Sequence, residues 1–189
     1  MPNLIFTGRF QPLHNGHIMM LRAIKKAYPD DLLIICIVRK THKKLEPETK
    51  TTFYKKSEIK QSEVNNPLPN WERFMLMKTA IENDDLLKKN TVILFRERPD
   101  INWEKSIIDL PNDRIFILPS IQKDEFDAEK LSFYKNLSEH IEMITAESTT
   151  YSATDIRTAL KSGDCDLSFM PKSCRDYFLS HCLKYFKTN

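Results

Sequence analysis

Two short apolar runs on either side of one amphipathic segment constrain the fold of this 189-residue chain more than any other feature. NLIFTG (3–8) and LLIICIVR (32–39) are rich in aliphatic and β-branched residues, which is typical of strands buried on both faces. Between them, apolar residues recur with the period of a helix over about residues 16–28. This order predicts a βαβ unit with two parallel strands.

The alternation of strands and helices continues along the chain. Further strands are predicted at TVILFRE (91–97), NDRIFILPS (112–120) and IEMIT (141–145). Further helices are predicted at WERFMLMKTAIEN (71–83), DAEKLSFYKNL (127–137), SATDIRTALKSG (152–163) and about 171–187. We therefore expect an α/β fold, Rossmann-like, with a doubly wound parallel sheet of about five strands and helices on both faces. A single domain over residues 1–189 is the simplest organisation.

Composition and charge narrow the class of protein. Hydrophobic residues make up 41% and charged residues 29% of the chain, as in an ordinary soluble protein. The formal net charge of +3 is too small to indicate a nucleic-acid or membrane partner, and no apolar run approaches the roughly 20 residues of a membrane span. We expect no signal peptide, because MPNLIFTGRF (1–10) lacks a basic region followed by an apolar stretch. We also expect free thiols and a cytoplasmic location, since no C-x-x-C pair occurs among the four cysteines, Cys36, Cys165, Cys174 and Cys182.

The segment from about 40 to 70 interrupts this pattern. It contains seven lysines and no glycine, and it shows little periodicity. A connection of this length is usually functional or irregular. Two interpretations stay open at this point: a solvated charged insertion, or a lid over an anionic ligand.

The stretch GRFQPLHNGH (8–17) concentrates two of the three glycines and two of the five histidines of the chain. Gly8 ends the first predicted strand and Gly16 opens the following helix, so the backbone turns tightly between them. We expect unpaired N–H groups at this helix start, which together with Arg9, His14 and His17 predict an anion site. The stretch matches neither the dinucleotide fingerprint nor the P-loop.

Three further segments carry candidate site residues with simpler structural interpretations beside them. In YSATDIR, Ser152 and Asp155 form a capping-box pattern, while Arg157 could reach the same anion. In NPLPNWERF, Arg73 stands in a first helical turn, where a bound anion would explain its charge.

RPDINWEK, the third of these segments, follows a predicted strand directly. Asp100 and Asn102 suit a turn and a helix cap as well as a ligand site, and Trp103 suits the core as well as a stacking platform.

GRFQPLHNGH and YSATDIR together resemble the H-x-G-H and S-x-T-x-x-R signatures of the nucleotidylyltransferase superfamily. With NP (66–67), ER (72–73) and PDIN (99–102), the chain resembles the nicotinamide mononucleotide adenylyltransferases of the archaeal and Nudix-fused bacterial type. The segments occur in the family's order and span most of the chain. The resemblance implies transfer of the adenylyl group of ATP to nicotinamide mononucleotide with Mg²⁺, giving NAD and pyrophosphate.

The resemblance also implies roles for individual residues. Contacts to the reacting phosphates would come from four catalytic residues: His14, His17, Arg9 and Arg157. Further ATP-binding residues would be Gly8, Phe10, Gln11, Gly16, Ser152 and Thr154. Arg73 would help to bind phosphate, and the nicotinamide ribotide would be recognised by Asp100, Asn102 and Trp103. No protein ligand to a metal is implied, and a homo-oligomer is expected because relatives form oligomers.

One departure from the family leaves other functions open. FILPSIQKDEF (116–126) stands where many relatives have a glycine-containing S-G-N-P-like segment, so ATP is not distinguished from CTP. The alternatives are a cytidylyltransferase acting on another phosphorylated small molecule, a non-catalytic nucleotide sensor, and an RNA-binding protein using the lysines of 40–70. PDIN disfavours the first, and the intact histidines and Arg157 disfavour the second.

Overall fold

The computed structural model describes residues 2–39, 54–55, 65–121, 125–147, 152–164 and 166–186. Within these ranges five strands form one sheet: β1 Asn3–Gly8, β2 Leu32–Val38, β3 Thr91–Arg96, β4 Arg114–Pro119 and β5 Ile141–Ile144. The strand order is β3-β2-β1-β4-β5, and every neighbouring pair is parallel. The α/β, Rossmann-like prediction is therefore confirmed. Most of the predicted 40–70 insertion lies outside the described residues.

Helices connect the strands and cover both faces of the sheet. They are α1 Asn15–Ala27, α2 Asn70–Glu82, α3 Trp103–Ile107, α4 Glu125–Asn136 and α5 Ala153–Lys161. Alternate residues of β1 point to opposite layers, because side chains alternate along a strand. Leu4 packs in the layer of α1, α2 and α5, whereas Ile5 packs in the layer that contains residues of α3 and α4.

The centre of the sheet opens at its carboxyl edge. β1 pairs with β2 over its full length, from Asn3 beside Leu32 to Gly8 beside Ile37. Its pairing with β4 covers only the first three residues, Asn3 to Ile5. The two central strands therefore separate toward their carboxyl ends, at the point where the strand order reverses. Ligands of doubly wound sheets bind in this crevice.

The C-terminal segment differs from the single helix predicted for about 171–187. Four short helical turns follow one another: a 3₁₀ turn (Lys172–Cys174), an α turn (Arg175–Tyr177), a π-helical turn (Phe178–Cys182) and a second 3₁₀ turn (Leu183–Tyr185). The segment packs on α2, where the Cys174 thiol contacts the Leu76 carbonyl oxygen at 3.4 Å and the Tyr177 hydroxyl donates to Glu72 at 2.6 Å. The local change of helical pitch accompanies this packing.

Candidate functional site

The two histidines of the H-x-G-H motif cap the start of α1. His14 is the N-cap residue, and its Nδ1 accepts a hydrogen bond from the Gly16 amide at 3.2 Å. The Nδ1 of His17 accepts from the His14 amide at 3.3 Å, and the two ring centroids lie 3.7 Å apart. A ring nitrogen that accepts an N–H carries no proton, so this arrangement places the proton of each ring on Nε2. Both histidines can then donate a hydrogen bond only through Nε2.

The expectation of unpaired amides at the start of α1 is wrong. The amides of Asn15 and Gly16 donate to the Phe169 carbonyl oxygen (2.7 Å) and to His14 Nδ1 (3.2 Å). The next two amides of the helix both donate to the His14 carbonyl oxygen, at 2.9 and 3.4 Å. The Asn15 side chain adds a second bond to the same distant segment, with its Nδ2 2.9 Å from the Ser168 carbonyl oxygen. An anion here would therefore meet the helix dipole and side chains rather than free backbone N–H groups.

The tight turn after β1 depends on Gly8 and Phe10. Phe10 has a φ of 52°, and its ring lies so close to Gly8 that a Cβ there would be 2.7 Å from Cζ. The same ring is buried and meets the His17 ring edge-on, with centroids 5.0 Å apart. Phe10, predicted to bind ATP, thus packs in the core beneath a histidine. Gly8 is required by this close approach.

Gln11 joins the turn to the segment that contains the NP motif. Its Oε1 accepts from the Leu68 amide at 3.0 Å and its Nε2 donates to the Leu68 carbonyl oxygen at 2.9 Å. The side chain is buried and both of its functional atoms have partners in this segment. Like Phe10, Gln11 positions the turn.

Three buried arginines from three different elements hold the stretch of residues 7–11. We call them the arginine triad: Arg73 of α2, Arg96 of β3 and Arg157 of α5, which are 1%, 3% and 6% exposed. Arg96 donates from Nη1 to the Thr7 hydroxyl at 3.2 Å. Arg73 donates from Nη1 to the Arg9 carbonyl oxygen at 2.8 Å. Arg157 donates from Nη1 to the Gln11 carbonyl oxygen at 2.8 Å.

The Arg73 side chain bonds to the backbone where β1 and β2 end. Besides the Arg9 carbonyl, its Nη1 contacts the Val38 carbonyl oxygen at 2.7 Å, just where β2 ends, and its Nη2 bonds the Asn70 side chain. Its buried Nε has no hydrogen-bond partner among the described residues. Burial and the nearby charge of Arg9 lower the pKa of Arg73 to about 10. The positive charge is therefore poorly accommodated by the protein alone.

Arg157 connects α5 to the turn. Its Nη2 contacts the Thr154 hydroxyl at 3.1 Å and the Asn65 side-chain oxygen at 3.3 Å, and burial lowers its pKa. Ser152 lies one turn earlier and is exposed; its hydroxyl accepts from the Asp155 amide at 3.1 Å and donates to the Asp155 carboxylate at 2.6 Å. The capping interpretation of Ser152 is thus confirmed.

Arg96 was not predicted as a site residue from the sequence. It donates to the backbone and hydroxyl oxygens of Ser106 at 2.9 and 3.2 Å and to the Tyr134 hydroxyl at 3.0 Å. Its guanidinium carbon also lies 5.1 Å from the ring centroids of Trp103 and Phe116. The only sequence signal is a charged residue at the end of the otherwise apolar strand TVILFR.

The arginine triad is bonded to neutral groups in the described part of the chain. Within the part of the chain that the structure describes, none of its three members forms an ion pair with a carboxylate; their partners are carbonyl, hydroxyl and amide oxygens. Burying an unpaired charge is costly, and the cost falls when an opposite charge binds nearby. The surroundings of residues 7–11 are therefore suited to an anionic ligand.

The segment after β3 contains the remaining predicted site residues. Asp100 is buried and paired with Arg98, with Oδ2 2.6 Å from Nη2, and the Tyr54 ring centroid lies 5.7 Å from the Arg98 guanidinium carbon. Asn102 caps α3 by accepting from the Lys105 amide at 2.9 Å. The turn and cap interpretation is thus confirmed, and Arg98 is a partner of Asp100 that sequence reasoning missed.

Trp103 lies in an aromatic cluster between α3, α4 and the sheet. Its ring centroid is 5.8 Å from that of Phe116, 6.0 Å from that of Phe133 and 5.7 Å from that of Tyr134. The side chain is partly buried, so it belongs to the core on this side. It is connected to the turn after β1 through Arg96, which contacts both Trp103 and Thr7.

Two groups of predicted residues can thus be distinguished. Direct contacts connect the turn, α1, α2 and α5, and these bring together Gly8, Arg9, Phe10, Gln11, His14, Gly16, His17, Arg73, Thr154 and Arg157. Asp100, Asn102 and Trp103 form a second group after β3, and Ser152 points to the helix cap.

The described residues offer neither a metal cluster nor an activated thiol. No group of three or more His, Cys, Asp or Glu among them could hold a metal ion. The three described cysteines are free and buried, and burial raises the pKa of Cys36 and Cys174 to about 11 and that of Cys182 to about 12. Cys165 lies outside the described residues. No helix in the described ranges is long and apolar enough to cross a membrane.

The pattern of the cytidylyltransferase-like family matches residues 5–159, which is more than half of the chain. The chain belongs to this family of nucleotidyltransferases. No curated protein matches the sequence significantly.

Two solved structures share the fold at low sequence identity. One is a bifunctional NMN adenylyltransferase/ADP-ribose pyrophosphatase from Francisella tularensis, complexed with AMP and manganese, which is 15% identical with a TM-score of 0.62. The match covers 98% of this chain and 51% of that one, so this chain spans about half the length of the Francisella protein. The other is a protein from Vibrio parahaemolyticus assigned as a nicotinate-nucleotide adenylyltransferase, 18% identical with a TM-score of 0.58, covering 95% and 99% of the two chains.

Proposed function

We propose that the protein transfers the adenylyl group of ATP to nicotinamide mononucleotide, producing NAD and pyrophosphate. The observation that carries this proposal is the arginine triad. Three buried arginines, none paired with a carboxylate among the residues that the structure describes, hydrogen-bond to residues 7, 9 and 11, just before the histidine motif. A phosphate monoester carries about −1.5 to −2 charges near neutral pH. Bound phosphates would therefore provide the negative charge that pairs with the arginine triad.

The reaction needs no protein group that abstracts a proton. An oxygen of the 5′-phosphate of nicotinamide mononucleotide is already ionised and attacks the α-phosphorus of ATP. The new P–O bond forms as the bond from the α-phosphorus to the oxygen that bridges it to the β-phosphorus breaks, and pyrophosphate leaves with that electron pair. Catalysis then consists of positioning and of stabilising negative charge on the transferring phosphorus. The raised pKa values of the described thiols agree with a reaction that uses no thiolate.

The histidines suit the role of hydrogen-bond donors in this reaction. Because Nδ1 accepts from the backbone in both rings, each would donate through Nε2 to phosphate oxygens, with His17 on the α-phosphate. Arg9 would bridge the reacting phosphates. Arg157 and Thr154, which already contact each other, would hold the β- and γ-phosphates as pyrophosphate leaves, with Ser152 beside them.

Mg²⁺ would be held by the phosphates of ATP and by water. The reason is electrostatic, because the charged side chains bonded to residues 7, 9 and 11 are arginines, which repel a cation unless phosphates lie between them. When bound, Mg²⁺ supplies charge neutralisation on the triphosphate. The protein's own contribution is to fix the phosphates relative to each other.

We assign recognition of the acceptor to the segment after β3. Asp100 is buried against Arg98, so its carboxylate is oriented before any ligand binds. Asn102 and Trp103 follow at the start of α3. Arg73 is bonded to the backbone at the end of β2, the strand next to β3. The acceptor would bridge these two regions, with its phosphate toward Arg73.

A cytidylyltransferase acting on another phosphorylated small molecule is the second candidate, favoured by the description of the matching family. A sensor that binds a nucleotide without turnover is the third. We keep the prediction of a cytoplasmic homo-oligomer without a nucleic-acid or membrane partner as part of the proposal.

One end-point assay tests the reaction and both substrates. Purified protein is incubated with Mg²⁺, ATP and nicotinamide mononucleotide, with CTP and nicotinate mononucleotide as parallel replacements, and the products are separated by chromatography. NAD with an equal amount of pyrophosphate is the expected result. Product with CTP only would show cytidylyl transfer to the pyridine ribotide in place of adenylyl transfer. No product from any pair would contradict the proposed substrates and leave the second and third candidates, which the same assay with other phosphorylated acceptors separates.

A further inference from the structure

Arg96 differs from the other two members of the arginine triad in its position. Arg73 and Arg157 come from α2 and α5, whose apolar residues pack on one face of the sheet. Arg96 lies among Phe116, Tyr134 and Trp103, which belong to the opposite layer. Arginines from both faces of the sheet therefore hydrogen-bond to the stretch of residues 7–11.

The contacts of Arg96 connect four elements. Its guanidinium bonds Thr7 at the end of β1, Ser106 in α3 and Tyr134 in α4, and its own backbone lies at the end of β3. A planar guanidinium fixes the direction of each hydrogen bond, and the surrounding rings restrict its rotation. Thr7 immediately precedes Gly8, where the backbone begins its tight turn.

We propose that Arg96 is a positioning residue for phosphate binding, acting through the Thr7 hydroxyl on the turn of residues 8–11. Where turnover is concerned, this inference rests on the proposed function. Arg73 and Arg157 hold the backbone carbonyls of Arg9 and Gln11, and Arg96 holds the residue before the turn. Without this third contact the turn would shift relative to the histidines and to the bound phosphates.

The test compares two substitutions that each remove one neutral partner of the same guanidinium. Thr7→Val removes the hydroxyl next to the turn, and Tyr134→Phe removes the hydroxyl that α4 contributes. Both lose one hydrogen bond to a buried cation, so a general loss of stability would affect them alike. Thr7→Ser restores the hydroxyl and serves as the rescue variant, and melting temperatures confirm that all three variants are folded.

Binding of Mg·ATP, measured by titration calorimetry, gives a readout that needs no turnover. We expect Thr7→Val to weaken the Kd about three- to tenfold, with Thr7→Ser and Tyr134→Phe within about twofold of the unmodified protein. In the adenylyl-transfer assay we expect kcat of Thr7→Val to fall about tenfold beyond the change in KM, because misplacement of the reacting groups acts on the chemical step. Arg96→Lys, which keeps the charge and loses the fork, should show the same fall in kcat.

Two outcomes would overturn the inference. Equal Kd values for Thr7→Val and Tyr134→Phe would mean that the hydroxyl next to the turn has no special role. An Arg96→Lys protein with unchanged kcat and Kd would mean that the geometry of the guanidinium is not required. Failure of the unmodified protein to turn over any substrate pair would refute the proposed function alone, since the calorimetric comparison still tests Arg96.

Discussion

Arg114, near the amino edge of the parallel sheet, and the arginine triad, near its carboxyl edge, differ in their partners. At the amino edge, where β4 begins and β5 is about to begin, Arg114 donates to both carboxylate oxygens of Glu139 at 2.7 and 3.1 Å. Both side chains are shielded, at 12% and 11% exposure. At the carboxyl edge Arg98 is likewise paired, with Asp100. The arginine triad is more deeply buried than Arg114, yet within the described residues its hydrogen-bond partners are neutral oxygens.

The difference shows how a fold separates stability from binding. A buried charge paired with a carboxylate is already neutralised and attracts a ligand weakly. A buried charge that only neutral dipoles solvate retains its attraction for an anion, although the unliganded protein is less stable for it. Arg114 and Glu139 therefore form a structural clamp, whereas the arginine triad has electrostatics that favour an anionic ligand.

Loss of a charge or donor at the carboxyl edge should have the largest effect. We expect His17→Ala and Arg157→Ala to lower the turnover of adenylyl transfer about 10²–10³-fold, because each removes a contact to the charge that develops on the phosphates. Steady-state kinetics with saturating substrates measures this loss.

The matched controls carry the same substitutions at the amino edge. His140 is exposed there, beside Glu142, and Arg114 belongs to the clamp. His140→Ala and Arg114→Ala should keep turnover within about twofold once the folded fraction is taken into account. Near-normal turnover of His17→Ala, or an equal loss in the two controls, would contradict the assignment.

Ligand binding should stabilise the protein through the carboxyl edge. Mg·ATP at about 100 times its Kd adds about 2.7 kcal/mol to the free energy of unfolding, which corresponds to a rise of about 5–10 °C in Tm for a chain of this size. The rise should shrink in Arg157→Ala and stay unchanged in Arg114→Ala. Differential scanning fluorimetry with and without Mg·ATP measures this rise in Tm. An equal rise in both variants would mean that Arg157 contributes no more to ligand binding than Arg114 does.

Loss of the Glu139 carboxylate should lower the free energy of unfolding and leave turnover unchanged. Glu139→Gln leaves the Arg114 guanidinium facing a neutral amide, and we expect the free energy of unfolding to fall by about 1–3 kcal/mol at neutral pH. Urea denaturation followed by circular dichroism gives this difference. Turnover of the folded Glu139→Gln protein should equal that of the unmodified protein; a loss of tenfold or more would connect the clamp to the site.

The smallest effect concerns Cys36, whose thiol lies in the same layer as Arg96. Burial raises the pKa of Cys36 to about 11 although the charge of Arg96 acts in the opposite direction. At pH 8 only about one thiol in a thousand is then ionised, so iodoacetamide should leave Cys36 unmodified in the native protein. Mass spectrometry of peptides before and after unfolding checks this, and fast native modification would show that the charge of Arg96 serves a reactive thiol instead.

Local patterns were sufficient to predict the five strands and the longer helices, but the five-residue helix α3 was not among the predicted helices. Apolar runs such as LLIICIV and the helical period of α1 are properties of neighbouring residues, and both were found at the predicted places. The C-terminal helix was predicted as one element, but its helical pitch changes over a segment that contacts Glu72 and Leu76, about a hundred residues away. Periodicity contains no information about such a partner.

Several contacts at the candidate site differ from those expected from the sequence. Arg73 was expected to face an anion because it opposes a helix dipole, but its Nη1 is bonded to the carbonyl oxygens of Arg9 and Val38. Arg96 was missed because its partners at positions 7, 106 and 134 meet only in the folded chain. The amides of α1 were expected to be free because the carbonyl of Phe169 cannot be placed beside Asn15 from the sequence.

The bond between Asn15 and the carbonyls at Ser168 and Phe169 has a practical consequence for anyone who re-engineers this chain. The family pattern ends at residue 159, which invites truncation a few residues later. Such a shortened protein would still contain every motif residue, but the first turn of the histidine helix would lose two of the acceptors that anchor it. A shortened, fused or permuted version of the protein should therefore keep the chain intact to at least residue 170.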